Sequence, residues 1–220
     1  MKTGIVKCGW VWIIPPFVLG AAGWWLLTRA GHGAAGWTAA AAGLVLGSFM
    51  IYFHRDPQRV PPQEEGIILA GADGVIRRVE ELHEPDYLQG PAVRISIYLN
   101  PFDVHVNRSP LGGRVTRLAY TPGKHMLTIM NAASEVNEHS SIFIENPRIC
   151  CLVRQIVGPI VRRVVYWLKE GQEIAPGQTI GMMRFGSRLD IYLPSSRVKV
   201  TVQKGDRVAA GLTVVARIIN

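Results

Sequence analysis

Hydrophobic positions along the chain follow two regimes. From Cys8 to Leu27 and from Ala34 to Phe53 they run as two 20-residue stretches without a charged side chain, each long enough as a helix to cross about 30 Å of hydrocarbon. This predicts an N-terminal helical hairpin over residues 1–53. Trp10, Trp12, Trp24, Trp25 and Tyr52 sit near the ends of the stretches, where amphipathic rings favour the headgroup level. Pro15 and Pro16 lie inside the first stretch and predict a kink or a re-entrant turn, because proline removes a backbone donor. Beyond His54 the apolar residues come in short runs, such as Val93 to Leu99, Ile142 to Ile144, Val161 to Trp167 and Val198 to Val202, separated by Gly, Pro and Asp. Runs of this kind predict a mainly β domain over residues 54–220. Helical periodicity is weak there, the best candidate being a short helix around Asn131 to Glu138. Pro57, Pro61 and Pro62 mark the junction, since prolines there cannot continue a helix.

One repeat is legible near the C-terminus. The segment Lys169 to Gly181 matches Lys204 to Val214, with Gly171 and Gly205, and Gly177 and Gly211, each 34 residues apart. Glycines at matching turns with Ile and Val between them imply two copies of one strand-turn-strand unit. Such units resemble those of lipoyl- and biotinyl-type barrel-sandwich domains, so the expected fold is a barrel-sandwich-like β domain with duplicated hairpin units. The resemblance is to the fold alone: Met182-Met183-Arg184 offers no lysine for a carrier group.

Charge narrows the partners. The net charge is +8, and no acidic residue precedes Asp56. A basic balance suits anionic lipid or nucleic acid. There is, however, no run of five Lys or Arg and no aromatic-interleaved basic block, which argues against nucleic acid. Lys2 and Lys7 precede the hairpin and Arg55 and Arg59 follow it, whereas its turn holds only Arg29 and His32. The positive-inside rule then puts both termini, and the β domain, on the cytoplasmic side of the cell membrane. A cleaved signal peptide is the competing reading, disfavoured because a second apolar stretch follows at once. Cys8 and the adjacent Cys150 and Cys151 make neither a disulfide framework nor a metal-ligand spacing. The six histidines likewise lack such spacing, and no metal is expected.

The motifs that bear chemistry are Phe53-His-Arg55-Asp56-Pro57, Ala72-Asp73-Gly74, Phe102-Asp-Val-His105-Val-Asn107-Arg108-Ser-Pro110, Asn137-Glu138 and Phe185-Gly186-Ser187-Arg188. A lone Gly-Ser dipeptide carries almost no information, and Gly47-Ser48 is a second one. In this order and company, however, the segments closely resemble the short bacterial and archaeal form of phosphatidylserine decarboxylase, from about residue 53 to the end of the chain.

The resemblance implies that Ser187 is used twice. Its hydroxyl first attacks the carbonyl carbon of Gly186, moving the acyl group from nitrogen to oxygen. β-Elimination from that ester leaves dehydroalanine, and hydrolysis yields a pyruvoyl group. The products are chains 1–186 and 187–220, expected to stay associated. The pyruvoyl cofactor made from Ser187 would form a Schiff base with phosphatidylserine in the bilayer, take up the electrons left by CO2, and release phosphatidylethanolamine. Glycine before the serine leaves the scissile carbonyl open. Asp73 and His105 carry over as supporting residues, Asp73 as the orienter in self-cleavage. The role of His105 stays open between self-cleavage and decarboxylation, because the longer enzymes have two histidines where this chain has His105 and Arg108.

Plainer readings stand beside these. Asp73-Gly74 is also a common turn signal. His105 alternates with Asp103 and Asn107 along a strand whose other face carries Phe102, Val104 and Val106, so by pattern alone it reads as a solvated strand histidine. Gly123, Lys124 and His125 are candidates for the headgroup, although Tyr120 to Gly123 reads first as a turn. Two other functions remain: a membrane-anchored barrel-sandwich adaptor without catalysis, and a pyruvoyl decarboxylase of a soluble amino acid. The hairpin argues against the latter. Oligomeric state and acyl-chain preference are left open.

Overall fold

The computed structural model describes residues 3–126, 128, 136–158, 164–183 and 187–219. The chain divides into two compact units, 1–58 and 59–220.

In the first unit, helix α1 (Trp10–Arg29) turns at Ala30 to His32 into helix α2 (Gly33–Phe53), and strand β1 (Thr3–Ile5) pairs antiparallel with β2 (Arg55–Pro57). α1 continues through Pro15 and Pro16 as one helix, with no re-entrant turn in it. Small residues let the two backbones approach: a Cβ on Gly20 would lie 2.8 Å from the Gly43 Cα, and one on Gly43 would lie 2.6 Å from the Pro16 carbonyl oxygen. Both helices are long and apolar enough to cross a membrane. They expose Val11, Leu19, Trp25, Leu26, Val45 and Leu46. Helices apolar all round call for a lipid rather than an aqueous surrounding, and they point to membrane association.

The second unit is mainly β, as expected. Its strands are β3 (Ile67–Leu69), β4 (Gly74–Glu84), β5 (Gly90–Tyr98), β6 (Val106–Arg108), β7 (Gly113–Thr121) and β8 (His139–Glu145), followed by two similar sets. One set is β9 (Cys150–Ile156), β10 (Val164–Tyr166), β11 (Glu173–Ile174) and β12 (Thr179–Met183). The other is β13 (Arg188–Pro194), β14 (Val198–Val200), β15 (Arg207–Val208) and β16 (Val214–Ile218). The helix expected around Asn131 to Glu138, and the start of the run Val161 to Trp167, fall largely outside the described residues.

The strand order is a palindrome. The eight-stranded sheet runs β11-β7-β8-β9-β13-β5-β4-β15, and the two flanking sheets run β10-β12-β6 and β14-β16-β3. Exchanging β3 to β5 with β6 to β8, and β9 to β12 with β13 to β16, maps the unit onto itself about an axis between β9 and β13. The repeat is therefore larger than the 34-residue one. Ala72-Asp-Gly-Val-Ile-Arg-Arg-Val matches Leu111-Gly-Gly-Arg-Val-Thr-Arg-Leu at a spacing of 39 residues. Both copies carry a bulge at the same place, after Ile76 and after Val115.

The shared turns explain the glycines. Gly74 and Gly113 enter their long strands at φ +147° and +158°, and a Cβ on either would collide with the carbonyl oxygen of Tyr98 or Glu145 on the neighbouring strand. Asp73-Gly74 thus opens a strand and is not a hairpin tip. Along β13, Leu189, Ile191 and Leu193 join the core of Ile68, Ile95, Ile97, Ile142 and Ile144. Arg188, Asp190 and Tyr192 face the other way, following the period of two along a strand.

Candidate active site

Ser187 begins the innermost strand of one half. Its carbonyl accepts the Leu99 N–H at 3.0 Å, continuing the β13–β5 pairing by one residue. The side chain is 0 % exposed, and among the described residues its Oγ has no hydrogen-bond partner. The twofold relation gives this position meaning. Its counterpart in the other half is Ile149, whose carbonyl accepts the Asn146 N–H at 3.1 Å. There, β8 turns directly into β9 through Asn146 to Ile149. In the Ser187 half no hairpin joins β5 to β13: the chain leaves β5 for β6 and returns to start β13 much later. Gly186, the other residue of the expected cleavage site, lies outside the described residues.

His105 stands at the entry of β6, where its carbonyl accepts the Met183 N–H at 3.2 Å. Three residues lie between Met183 and Ser187, so the pairing brings His105 to the segment that leads into Ser187. The ring is fully buried. Its Nδ1 lies 3.0 Å from the Asp103 carbonyl oxygen and donates to it, which assigns the lone pair to Nε2. Asp103 is anchored in turn: its carboxylate accepts the Asn100 N–H at 2.8 Å and pairs with Arg207 at 2.8 Å. The solvated-strand reading of His105 is overturned, since Asp103, His105 and Asn107 are all buried while Phe102 is exposed. Alternation does not separate the faces here, since Val104 and Val106 are buried as well; β12 pairs with β6 and both faces are covered.

Asp73 is held elsewhere. Its two carboxylate oxygens accept from Arg59 at 2.5 and 2.8 Å, and Oδ1 also accepts the Ala210 N–H at 2.8 Å. Arg59 further donates to the Ala210 carbonyl at 2.7 Å. Asp73 thus ties residue 59 to the second glycine-turn unit. It also lines, with Asp103, Arg207 and Thr213, a cavity of about 270 Å³. Arg108 Nη1 donates to the Gly177 carbonyl at 3.1 Å, in the turn of the other copy.

Buried polar groups on the Ser187 side complete the site. Ser140 Oγ donates to Gln155 Oε1 at 2.8 Å, and Gln155 Nε2 donates to Asn107 Oδ1 at 2.7 Å. Asn137 Nδ2 donates to the Val157 and Met126 carbonyls, and His125 Nε2 meets Glu138 Oε2 at 2.9 Å. Sequence reasoning assigned no role to Asn107, Gln155 or Ser140. One signal was the interruption of apolar alternation, since the counterparts in the other half are Ile68, Leu193 and Val93, all in the core. A buried polar network where an apolar one would pack is a mark of function rather than of stability.

The opposite sheet face is ionic as well. Arg188 pairs with Asp190 at 3.1 Å, and Arg94 with Glu80. Arg94 and Arg154 both approach the Tyr192 hydroxyl, beside a cavity of about 630 Å³ lined also by Glu80, Glu84 and His139. Burial lowers the His139 pKa, and burial, reinforced by Asp190, raises that of Tyr192. Among the described residues no cluster of His, Cys, Asp and Glu has the makings of a metal site.

Fold and site together define a duplicated β protein with a membrane-capable hairpin, a buried serine hydroxyl at the start of a central strand and a buried histidine on the strand paired with the segment before it. The phosphatidylserine decarboxylase family profile matches residues 46–216. A phosphatidylserine decarboxylase proenzyme of Carboxydothermus hydrogenoformans is 48% identical over 170 residues, covering 77% of this chain and 80% of the relative. One of Symbiobacterium thermophilum is 39% identical over 215 residues, covering 97% and 95%. The chain belongs to the phosphatidylserine decarboxylase family and is a carboxy-lyase. The adaptor alternative is thereby set aside.

Proposed function

We propose that the chain decarboxylates phosphatidylserine to phosphatidylethanolamine with a pyruvoyl group made from its own Ser187, after self-cleavage into 1–186 and 187–220. The observation that carries this is the buried Ser187 Oγ, without a hydrogen-bond partner among the described residues, at a strand start where the other half has a hairpin turn. A hydroxyl in that state costs stability, and a backbone break there costs little, because β13 is held by pairing to β5 and β9 rather than by its own N-terminal link. When formed, the pyruvoyl group supplies a ketone that condenses with the substrate's amine and a carbonyl that takes up the electron pair left by CO2.

The remaining tasks belong to side chains. His105, with Nδ1 committed to the Asp103 carbonyl, presents Nε2 as the proton-transfer atom, and we assign it to taking up a proton there from solvent, as the imidazolium, and passing it to the substrate carbon in each turnover. Asp73, locked by Arg59, acts in maturation by fixing the strand entry that packs beside Tyr98. In this reading the hairpin anchors the chain in the membrane and the domain works on the cytoplasmic side, as the basic residues flanking the hairpin suggest. A diacyl lipid leaves a bilayer reluctantly, at roughly 0.8 kcal/mol per exposed CH2, so headgroup chemistry is best done there.

Denaturing gels with intact-mass measurement test the reading. The purified protein should yield two chains, the smaller spanning 187–220 and lacking a free N-terminal amine. A single chain of 24.2 kDa would overturn it.

A further inference from the structure

Backbone pairing continues one residue past β8, β9 and β13, since the Val157 N–H donates to the Glu138 carbonyl at 3.1 Å and the Leu99 N–H to that of Ser187. In register, Val157 therefore sits between Glu138 and Ser187. Strand alternation puts both side chains on the same face of the sheet, two strands and about 10 Å apart. This is the face that carries Ser140 and Gln155, with Asn107 above them.

Glu138 is 7 % exposed. One oxygen, Oε2, is held by His125, whose loop is fixed by the Lys124 N–H to the Val136 carbonyl and the Glu138 N–H to the Lys124 carbonyl. The other, Oε1, has no hydrogen-bond partner among the described residues. A carboxylate oxygen withdrawn from water without a donor is costly, by the full desolvation of that atom. The fold does not require it: the counterpart of Glu138 in the other half is Pro91. The missing donor is therefore sought in a ligand. An aminoacyl headgroup brings a primary ammonium with three N–H donors, and it must lose one proton before its nitrogen attacks a ketone. A carboxylate on the same sheet face as Ser187 does both, accepting the hydrogen bond and then the proton.

We propose that Glu138, positioned by His125, is the receptor and proton acceptor for the substrate's ammonium, an inference that rests on the reading of Ser187 above. The test is Glu138→Gln in the full-length, self-processed protein. The variant should still split into two chains. Cyanoborohydride capture of phosphatidylserine on the small chain, read by mass, should slow by about 10²-fold, the usual worth of a positioned base. Inhibition by a diacyl analogue whose headgroup lacks the amine should not change. Capture at the parental rate, equal weakening of the analogue, or a folded variant that stays uncut would each overturn the proposal. If the parent itself shows no small chain, the Ser187 reading has failed and takes this proposal with it, an outcome distinct from a failure confined to the Glu138→Gln variant. Should Glu138→Gln be insoluble, His125→Gln carries the test. It leaves the carboxylate and must alter the capture rate and its pH dependence, and an unaltered profile would reject the role.

Discussion

The two halves of the β unit share a backbone and differ in what fills it. One half closes β8 onto β9 with the tight turn Asn146 to Ile149; the other leaves β5 and β13 unjoined, and Ser187 starts the free strand. Ile68, Leu193 and Val93 make apolar core where Asn107, Gln155 and Ser140 make a polar network. Asp73 stands where its twin has Gly112. The comparison separates what the fold needs from what the reaction needs: glycine turns and bulges recur in both halves, while Ser187 and Asp73 come from one half and His105, Glu138 and the polar network from the other, none of them repeated at its counterpart.

The largest effect concerns the missing hairpin. Ser187→Ala should abolish both splitting and turnover, because alanine has no nucleophile for the acyl shift. Ile149→Ser should create no second cut, because its turn is closed and lacks the surrounding groups. Gels and intact mass read both, and a second cut at residue 149 would break the argument that Ser187 alone, and not its counterpart, sits in a reactive setting. Next, His105→Ala should still split and carry the blocked small chain, yet lose at least about 10²-fold in turnover. Accumulation of uncut precursor would instead move His105 to self-cleavage.

Giving the polar network its twin's residues sharpens the contrast between stability and function. The triple variant Asn107→Ile, Gln155→Leu and Ser140→Val should unfold at or above the parental temperature, since replacing all partners of a buried network is near neutral or stabilising by about 1–4 kcal/mol. It should nevertheless lose most turnover. A large drop in melting temperature would show that the network is structural.

Gly74→Ala and Gly113→Ala should each destabilise by about 2–3 kcal/mol, from a strained φ and a clash with the neighbouring carbonyl. Only Gly74→Ala, beside Asp73 and Tyr98, should also slow splitting. Equal slowing by both would make the effect one of general stability.

The smallest effect is a pH dependence. Burial holds the His139 pKa below its ordinary value of 6.5, so below that pH the unfolded chain binds a proton that the folded chain resists. Stability contributed by the neutral form is present above about 6.5 and falls as pH drops through the depressed folded pKa. Urea midpoints from pH 7 to 5 should decline less for His139→Gln than for the parent. His139's counterpart is Ala92, so no matching titration arises in the other half.

Local pattern settled much of this protein. Twenty uncharged residues make a membrane-capable helix wherever they lie, and β-branched runs between Gly and Pro make strands, because both follow from backbone hydrogen bonding and side-chain burial within a few residues. The 34-residue repeat and the motif around Ser187 were likewise readable, as was the family they resemble. The 39-residue repeat was present but weaker, since it is carried by two glycines and alternating Ile, Val and Leu rather than by identical residues. What the sequence could not decide was contact across the sheet. That Ser187 replaces a hairpin, that Asp73 is taken by Arg59, that His105 faces inward, and that Glu138 lies two strands from Ser187 all depend on strands far apart in the chain being brought into register. Register is a property of the closed sheet, where each strand is chosen by its neighbours, and no single segment contains it.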